Sequence, residues 1–156
     1  VVTQVISIDT AAAITATSKR TLWRRLSAGQ LHRQGTDERG RAMVALEDIL
    51  PKICIKTPIT TELVKLISQA DQGNSDAQST LGIVFLEHSK AEVASYWFQL
   101  AAQQQHADAM HLLSELYYQG KAVERCETSA MMWLAKAANL GHCIARAQMR
   151  AITGSR

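Results

Sequence analysis

The fold of the larger part of the chain is decided by the stretch Trp133-Leu134-Ala135-Lys136-Ala137-Ala138 and by the pair Gly141-His142 that follows it. The same tryptophan and paired alanines stand earlier in the chain, at Trp97 and Ala101-Ala102. Self-similarity at a regular spacing is the signature of a repeat protein, in which each unit buries its apolar face against its neighbours. We therefore predict helical repeats.

A second pattern extends the repeat in both directions. Two alanines and a leucine recur with the same internal spacing, at Ala70, Ala77 and Leu81, then at Ala102, Ala109 and Leu113, and finally at Ala138, Ala145 and Met149, where Met replaces Leu. The repeat length is 32 residues for the first copy and 36 for the second, and the extra residues fall in a glycine-containing loop at 119–125. Because the insertion lies between helices, the helices keep their register, and we predict a short α-solenoid with two full repeats.

These strings resemble the Sel-one-like repeat, a relative of the tetratricopeptide repeat. The resemblance rests on 133–138, on Gly141-His142 and on the loop Gly120-Lys121-Ala122-Val123-Glu124-Arg125. It implies protein–protein interaction, with the first helix of each repeat facing the partner. On those helices, the positions expected to bind a protein partner are Ser79, Glu87, His111, Glu115 and Tyr118.

Both ends of the repeats need a cover, because a terminal repeat has no neighbour to bury its apolar face. Residues 59–70 predict a lead-in helix that packs on the first repeat, and residues 139–152 predict a capping half-repeat. Leu113 and Trp133 stand at repeat-defining positions and are expected to be buried. The solenoid domain is predicted to comprise residues 57–156.

Residues 1–56 carry a different pattern, which predicts two short helices joined by a tight turn. A β-branched run at 5–8 precedes an alanine-rich helix for which Asp9 is the expected cap. Ser18 is the expected cap of a second helix, in which Leu22 and Leu26 stand one turn apart and face inward. This is a helix-turn-helix pattern, whose second helix is the one presented to a DNA groove.

A β-hairpin, or wing, is predicted after the second helix. Two short runs at 31–33 and 42–46, which we expect to be extended, flank a polar, glycine-containing tip at 34–41. Glu47-Asp48-Ile49-Leu50 then opens a third helix, and Pro51 lies in its first turn, where a proline is tolerated. The fold class is therefore mainly α: a small winged-helix domain, residues 1–56, followed by a short α-solenoid.

This order resembles the MerR-like and excisionase-type winged helices. The matching fragments are Ser18-Lys19-Arg20-Thr21-Leu22-Trp23-Arg24, Gly29-Gln30-Leu31, Arg39-Gly40-Arg41 and Glu47-Asp48-Ile49-Leu50. The resemblance implies that the second helix enters the major groove and the wing follows the backbone. The residues expected at DNA are Ser18, Lys19, Arg20, Thr21, Arg24 and Arg25 on the helix, and Arg33, Arg39 and Arg41 on the wing.

The charge distribution agrees with an anionic partner for the first third of the chain. Residues 1–56 hold nine Lys and Arg against five acids, whereas the whole chain has a net charge of only +3. Lys and Arg neutralise phosphates, and Arg also binds the guanine edge with two hydrogen bonds. Two acids at the wing tip, Asp37 and Glu38, oppose this reading because they repel phosphate. Trp23 is expected to pack against the core rather than on DNA.

The remaining composition excludes several classes of function. Three widely spaced cysteines do not form a disulfide framework, and no leader or long apolar run is visible, so a cytoplasmic location without a membrane span is expected. The histidines lack the spacing of metal ligands, and no phosphate loop or nucleophile–base signature occurs. We predict no enzyme, no cofactor and no metal.

Two functions remain open. In the first, a bacterial regulatory protein binds DNA through the helix-turn-helix and a protein partner through the repeats. The coiled coil that usually dimerises MerR-like proteins is absent, so homodimerisation would require the repeats or the winged helix. In the second, the chain is an adaptor that binds no DNA, and both domains dock proteins. Free, co-facial Arg20, Arg24 and Arg25 favour DNA, whereas pairing of these arginines to acids of the repeats favours the adaptor.

Overall fold

The structure, a computed structural model, describes residues 3–154. Its contacts divide the chain into two compact units, Val1–Gln72 and Gly73–Arg156. The class predicted from the sequence is confirmed: the described part is mainly helical, with a three-stranded sheet near the start and a helical repeat after it. The unit boundary lies after Gln72, whereas the sequence predicts a domain boundary between residues 56 and 57.

The first unit begins with the predicted helix-turn-helix. Helix α1 spans Ile8–Thr15 and α2 spans Lys19–Ser27. Ser18 caps α2 by accepting a hydrogen bond from the Thr21 N–H, as predicted, whereas α1 is capped by Ser7 rather than by Asp9. Ala16, with φ at 51°, adopts the left-handed conformation that ends α1 and turns the chain toward α2.

The wing is one part of a three-stranded antiparallel sheet. Strands β1 (Val5–Ser7), β2 (Arg33–Thr36) and β3 (Ala42–Ala45) lie in the order β1-β3-β2, with Ile6 paired with Val44. The central strand β3 is buried along its length, and the edge strand β2 is exposed along its length. The sequence run at 5–8 therefore anchors the hairpin to the core of the unit, and β2 presents its side chains to solvent.

The rest of the first unit differs from the sequence prediction in extent. The third helix is short: α3 spans Leu46–Ile49, and a 3-10 turn with Pro51 follows. Helix α4 (Thr61–Asp71), predicted as the lead-in helix of the solenoid, belongs to the first unit. Its buried face carries Leu63 and Ile67. Its last residue, Asp71, accepts hydrogen bonds from Ser7 of β1 and Thr10 of α1, which attach α4 to this unit.

The second unit contains the predicted repeats. Helices α5 (Ser75–Glu87) and α6 (Ala91–Gln103) form the first repeat, and α7 (Ala107–Gln119) and α8 (Glu127–Asn139) form the second. Helix α9 (Cys143–Thr153) occupies the predicted half-repeat. The alanines and leucines that define the register are buried, with Leu81 and Leu113 fully so, except Ala138, which is half-buried.

The two equivalent tryptophans have different surroundings. Trp97, on α6, is completely buried, whereas Trp133, on α8, is half-buried and has the Lys136 ammonium 4.7 Å from its ring centre. The expectation that Trp133 is buried is therefore wrong, although the expectation for Leu113 is confirmed. Within the described unit, Trp133 lies on the last complete helical pair, where fewer neighbours can cover it.

Each first helix of a repeat is capped at the same position. The N–H groups of Ala77, Ala109 and Ala145 are bonded by the side chains of Asn74, His106 and His142, respectively. In both histidines the Nδ1 atom is the acceptor, so the proton is on Nε2. That nitrogen faces the aspartate of the preceding repeat, at 3.0 Å from Asp76 for His106 and 3.3 Å from Asp108 for His142. The cap bond therefore uses the lone pair of Nδ1 in each histidine, while the Nε2–H points at the aspartate.

We expect acid to destabilise the repeats through His142. Burial and the stacked ring of His111, 4.5 Å away, lower the pKa of His142 from 6.5, against the opposing effects of Asp108 and Glu115. Because the unfolded chain then binds the proton more readily, the stabilisation is complete above pH 6.5 and is lost as the pH falls through the lowered value. Protonation removes the cap, which costs about 1 kcal/mol.

Thermal melts of the wild type and of His142→Asn above and below pH 6.5 measure this effect. Asparagine keeps the cap, as Asn74 does in the first repeat, but does not titrate. The variant should lose less stability on acidification than the wild type does. Equal losses in both proteins would contradict the assignment.

Candidate nucleic-acid interface and partner groove

The exposed face of α2 carries two free arginines. Arg20 and Arg24 are exposed and stand one helical turn apart, opposite the buried Leu22. Arg25 lies on the flank of the helix and is half-buried. In the part of the chain that the structure describes, none of these three arginines forms an ion pair, whereas Lys19 pairs with Asp9 of α1. The arrangement leaves Arg20 and Arg24 available to an anionic partner.

Ser18 and Thr21 contribute to the shape of this face. The Ser18 hydroxyl accepts a hydrogen bond from the Thr21 N–H at 3.1 Å and lies 3.0 Å from the Thr21 hydroxyl. Both side chains thus hold the first turn of α2. The sequence predicts them at the DNA surface, and the hydrogen bonds of their hydroxyls in the structure are with each other.

Trp23 is exposed, contrary to the expectation that it packs against the core. Its side chain keeps 43% of its surface accessible, and the Arg33 guanidinium of β2 lies 5.9 Å from its ring centre. This distance is typical of a cation–π contact. We call Arg20, Trp23, Arg24 and Arg33 the basic-aromatic face; it joins the second helix to the wing.

The acidic wing tip has a structural explanation. Asp37 accepts hydrogen bonds from the N–H groups of Arg39 and Arg41 and from the Arg41 side chain at 2.8 Å. Burial alone raises the pKa of Asp37, but these bonds and the Arg41 charge outweigh it, so the pKa is lowered. Asp37 therefore holds the turn as an ionised carboxylate whose charge is balanced by Arg41. Arg39 and Glu38 remain exposed at the tip.

Arg41 points into the unit and not toward an outside partner. Its guanidinium lies 3.4 Å from an Asp71 carboxylate oxygen and donates to the Asp71 carbonyl oxygen at 3.2 Å. The same carboxylate accepts bonds from the Ser7 N–H and from the hydroxyls of Ser7 and Thr10. The structure thus places Arg41 in an internal cluster with the wing, β1, α1 and α4, and not with the other predicted DNA residues.

Sequence reasoning did not find Asp71. It lies next to Ala70, which defines the repeat register, and nothing local distinguishes it from a solvent-exposed acid at a helix end. Its partner Ser7 is 64 positions away in the chain. A single sequence carries no signal of such a contact.

The five predicted partner residues are distributed over different environments. Ser79 and His111 are buried, and His111 lies 3.0 Å from Gln148 on α9, so both serve the packing of the repeats. Glu87 is exposed on α5. Glu115 and Tyr118, on α7, lie together at a groove.

This end groove lies between the second half of α7, the first half of α8 and the end of α9. Its volume is about 540 Å³, and its lining includes Glu115, Tyr118, Met131, Leu134 and Ile152. Tyr118, Met131 and Ile152 are all substantially exposed. A concave, mainly apolar surface with a few polar groups is the usual form of a binding site.

Other kinds of site are not evident in residues 3–154. No group of three or more His, Cys, Asp or Glu side chains in this range is placed to hold a metal ion. No helix in the same range has the length and apolar character needed to cross a membrane. The Cys126 side chain caps α8 by accepting a hydrogen bond from the Ser129 N–H.

Comparison with solved structures supports the repeat part of the sequence prediction. The chain is similar to the crystal structure of a Sel1 repeat protein from Oxalobacter formigenes, with a TM-score of 0.55 and 28% identity over 58% of this chain and 39% of that one. The chain therefore spans about two fifths of the length of that protein. Its sequence matches no protein-family model and no curated protein. The comparison gives no support to the MerR-like resemblance of the first unit.

Proposed function

We propose that this chain is a DNA-binding regulatory protein of the cytoplasm, in which the first unit binds DNA and the repeats bind a protein. The observation that carries the proposal is the basic-aromatic face: three exposed arginines and a tryptophan, with Arg20 and Arg24 lacking an acidic partner among the described residues. Without a counter-charge, neighbouring arginines on one helix face repel each other. Phosphates supply the missing counter-charge.

The second helix of the helix-turn-helix is the natural element to approach a groove. Arg20 and Arg24 contact phosphates or guanine edges, and Arg33 and Arg39 follow the backbone from the wing. Lys19 and Arg25 contribute charge from the sides of the helix, while Ser18 and Thr21 fix its first turn. Arg41 positions the wing through Asp37 and Asp71 and does not touch DNA.

The repeats supply the second half of the proposed function. The Sel1 repeat neighbour supports an interaction module built from helical repeats. Within the second unit, the end groove brings Glu115 and Tyr118 together with exposed apolar side chains. These residues form the partner surface in our proposal.

A second candidate is the adaptor that binds no DNA. The exposed Trp23 favours it, because tryptophan and arginine are the residues that most often anchor protein–protein interfaces. Glu38 at the wing tip also suits a protein partner better than a phosphate backbone. Under this reading, the basic-aromatic face docks an acidic protein.

Binding of fluorescent duplex DNA at several salt concentrations tests the proposed function. We expect binding at low salt that weakens steeply as salt rises, because phosphate neutralisation releases counterions. Arg20→Ala and Arg24→Ala should each reduce the slope of log K against log salt by about one unit. Lys121→Ala, which removes an exposed base from the repeat loop, is the control and should leave the slope unchanged.

The outcomes separate the two candidates. Failure of the wild type to bind any duplex at low salt would reject the DNA-binding function and leave the adaptor. If Lys121→Ala reduced the salt slope as much as the α2 variants do, only the net charge of the protein would matter. In that case α2 would not be the element that contacts DNA.

A further inference from the structure

The end groove occupies a position that the first repeat fills with its own aromatic ring. In the first repeat, Phe98 of α6 is completely buried against Gly82 of α5, so closely that a Cβ atom on Gly82 would lie 2.5 Å from the Phe98 Cε1 atom. The equivalent residues of the second repeat are Leu134 and Ser114, and both line the groove. A leucine fills less space than a phenylalanine. The second repeat therefore lacks an aromatic ring at a place where its neighbour has one.

The lining of the groove contains two acids, one of which is paired with an arginine. Glu115 and Glu127 belong to its lining, and no Lys or Arg does. Glu127 already has a partner, since Arg125 donates to it at 2.9 Å and also lies 5.3 Å from the Tyr118 ring centre. Within residues 3–154, the one ion-pair partner of Glu115 is His111, at 3.8 Å, and the Glu115 side chain is about half exposed. An occupant that carries a base beside an aromatic ring would complement this surface.

The described part of this chain displays such a group in the first unit. Trp23 is exposed, and Arg20 and Arg24 flank it on the free face of α2. Residues 18–30 contain four bases and no acid. An indole is somewhat larger than the missing phenyl ring, and a groove of about 540 Å³ is large enough to hold it together with part of an arginine.

We propose that the end groove binds the basic-aromatic face of a second copy of this chain, with Trp23 in the position of the missing ring and Arg24 paired with Glu115. The partner is thus a second copy, and the contact joins unlike surfaces of the two molecules. This inference deepens the proposed function, because the surface that would contact DNA is then covered by self-association. DNA binding and self-association exclude each other.

Sedimentation of the full chain at low salt, without DNA, tests the docking by itself. We expect species heavier than the 17.2 kDa monomer, which dissociate as the salt concentration is raised. Glu115→Lys and Arg24→Glu should each weaken association by at least about tenfold. The double variant restores an opposite-charge pair and should recover much of the loss. Glu92→Lys, an equal charge change on an exposed residue of α6, is the control and should associate like the wild type.

A wild type that stays monomeric, or a Glu115→Lys variant that associates as strongly as the wild type, overturns the docking. Association that Glu92→Lys weakens equally would show a general charge effect and also overturns it. Circular dichroism of each variant checks that the repeats are folded, so that a loss of association is not caused by unfolding.

A second series with duplex DNA separates this inference from the proposed function. Duplex DNA should convert the associated species into DNA-bound monomers, and Glu115→Lys should bind DNA at least as tightly as the wild type. If associated species bound DNA without dissociating, the proposal that DNA and the second copy bind the same surface would be wrong. If the monomeric Glu115→Lys variant fails to bind DNA while the wild type associates, the proposed function fails and the docking stands.

Discussion

Trp97→Ala should destabilise the repeats by about 3–5 kcal/mol, the range for removing a large aromatic side chain from a packed core. Trp97 is completely buried on α6, at a position that recurs in the second repeat as Trp133. Its removal leaves a cavity that the helices cannot close without losing the repeat register. Urea unfolding followed by far-ultraviolet circular dichroism measures the loss.

Two further substitutions make this prediction specific. Trp133→Ala, at the equivalent position of the second repeat, should cost much less, since that side chain is only half-buried. Trp97→Phe keeps an aromatic ring and removes the Nε1–H, which is buried and has no hydrogen-bond partner in the described structure. It should therefore cost less than the alanine variant. If Trp97→Ala and Trp133→Ala lowered the free energy of unfolding equally, the two tryptophans would not differ in burial as the structure shows.

The register of the repeats could be predicted from the sequence because it depends on local spacing. Small residues at Ala77, Ala109 and Ala145 allow helices to approach, and their periodicity is visible without knowledge of the fold. The glycines at 73 and 141 and Gln105 between them all adopt positive φ, as expected for one equivalent turn. The burial of Trp133 could not be predicted in the same way, because neighbouring repeats decide it.

The candidate site shows the same division between local and distant causes. Trp23 directly follows the buried Leu22 and is rotated from it by about 100° on the helix, so its exposure follows from spacing that was already visible. The internal role of Arg41, in contrast, does not follow from local spacing. It requires Asp71, whose helix α4 was predicted to pack on the repeats, and it depends on contacts between residues 30 or more positions apart.

Asp71→Ala should cost the first unit about 3–5 kcal/mol, because it removes one partner from a buried charged cluster. The Asp71 carboxylate is almost fully buried and is the acceptor for two groups of Ser7, the Thr10 hydroxyl and Arg41. Without it, these donors and the half-buried guanidinium lose their acceptor in a poorly solvated place. The wing, which Arg41 holds at its base, should loosen as well.

Chemical denaturation of the full chain measures the loss, and exchange of the β2 and β3 amide protons reports on the wing. Asp76→Ala is the matched control: the Asp76 side chain is 89% exposed and pairs with His106 on the surface, so its removal should change the stability by less than about 1 kcal/mol. Arg41→Ala combined with Asp71→Ala removes both charges. The combined loss should be smaller than the sum of the two single losses, as expected when one variant alone leaves a buried charge unpaired.

The same cluster predicts where the first unit ends. A fragment of residues 1–72 retains Asp71 together with the buried face of α4, whereas a fragment of residues 1–56 leaves Ser7, Thr10 and Arg41 without their acceptor and exposes the surface that Leu63 and Ile67 cover. We expect the longer fragment to unfold cooperatively and the shorter one to be markedly less stable, or unfolded. If residues 1–56 proved as stable as residues 1–72, or if Asp71→Ala unfolded at the same denaturant concentration as the wild type, α4 would not be an integral part of the first unit.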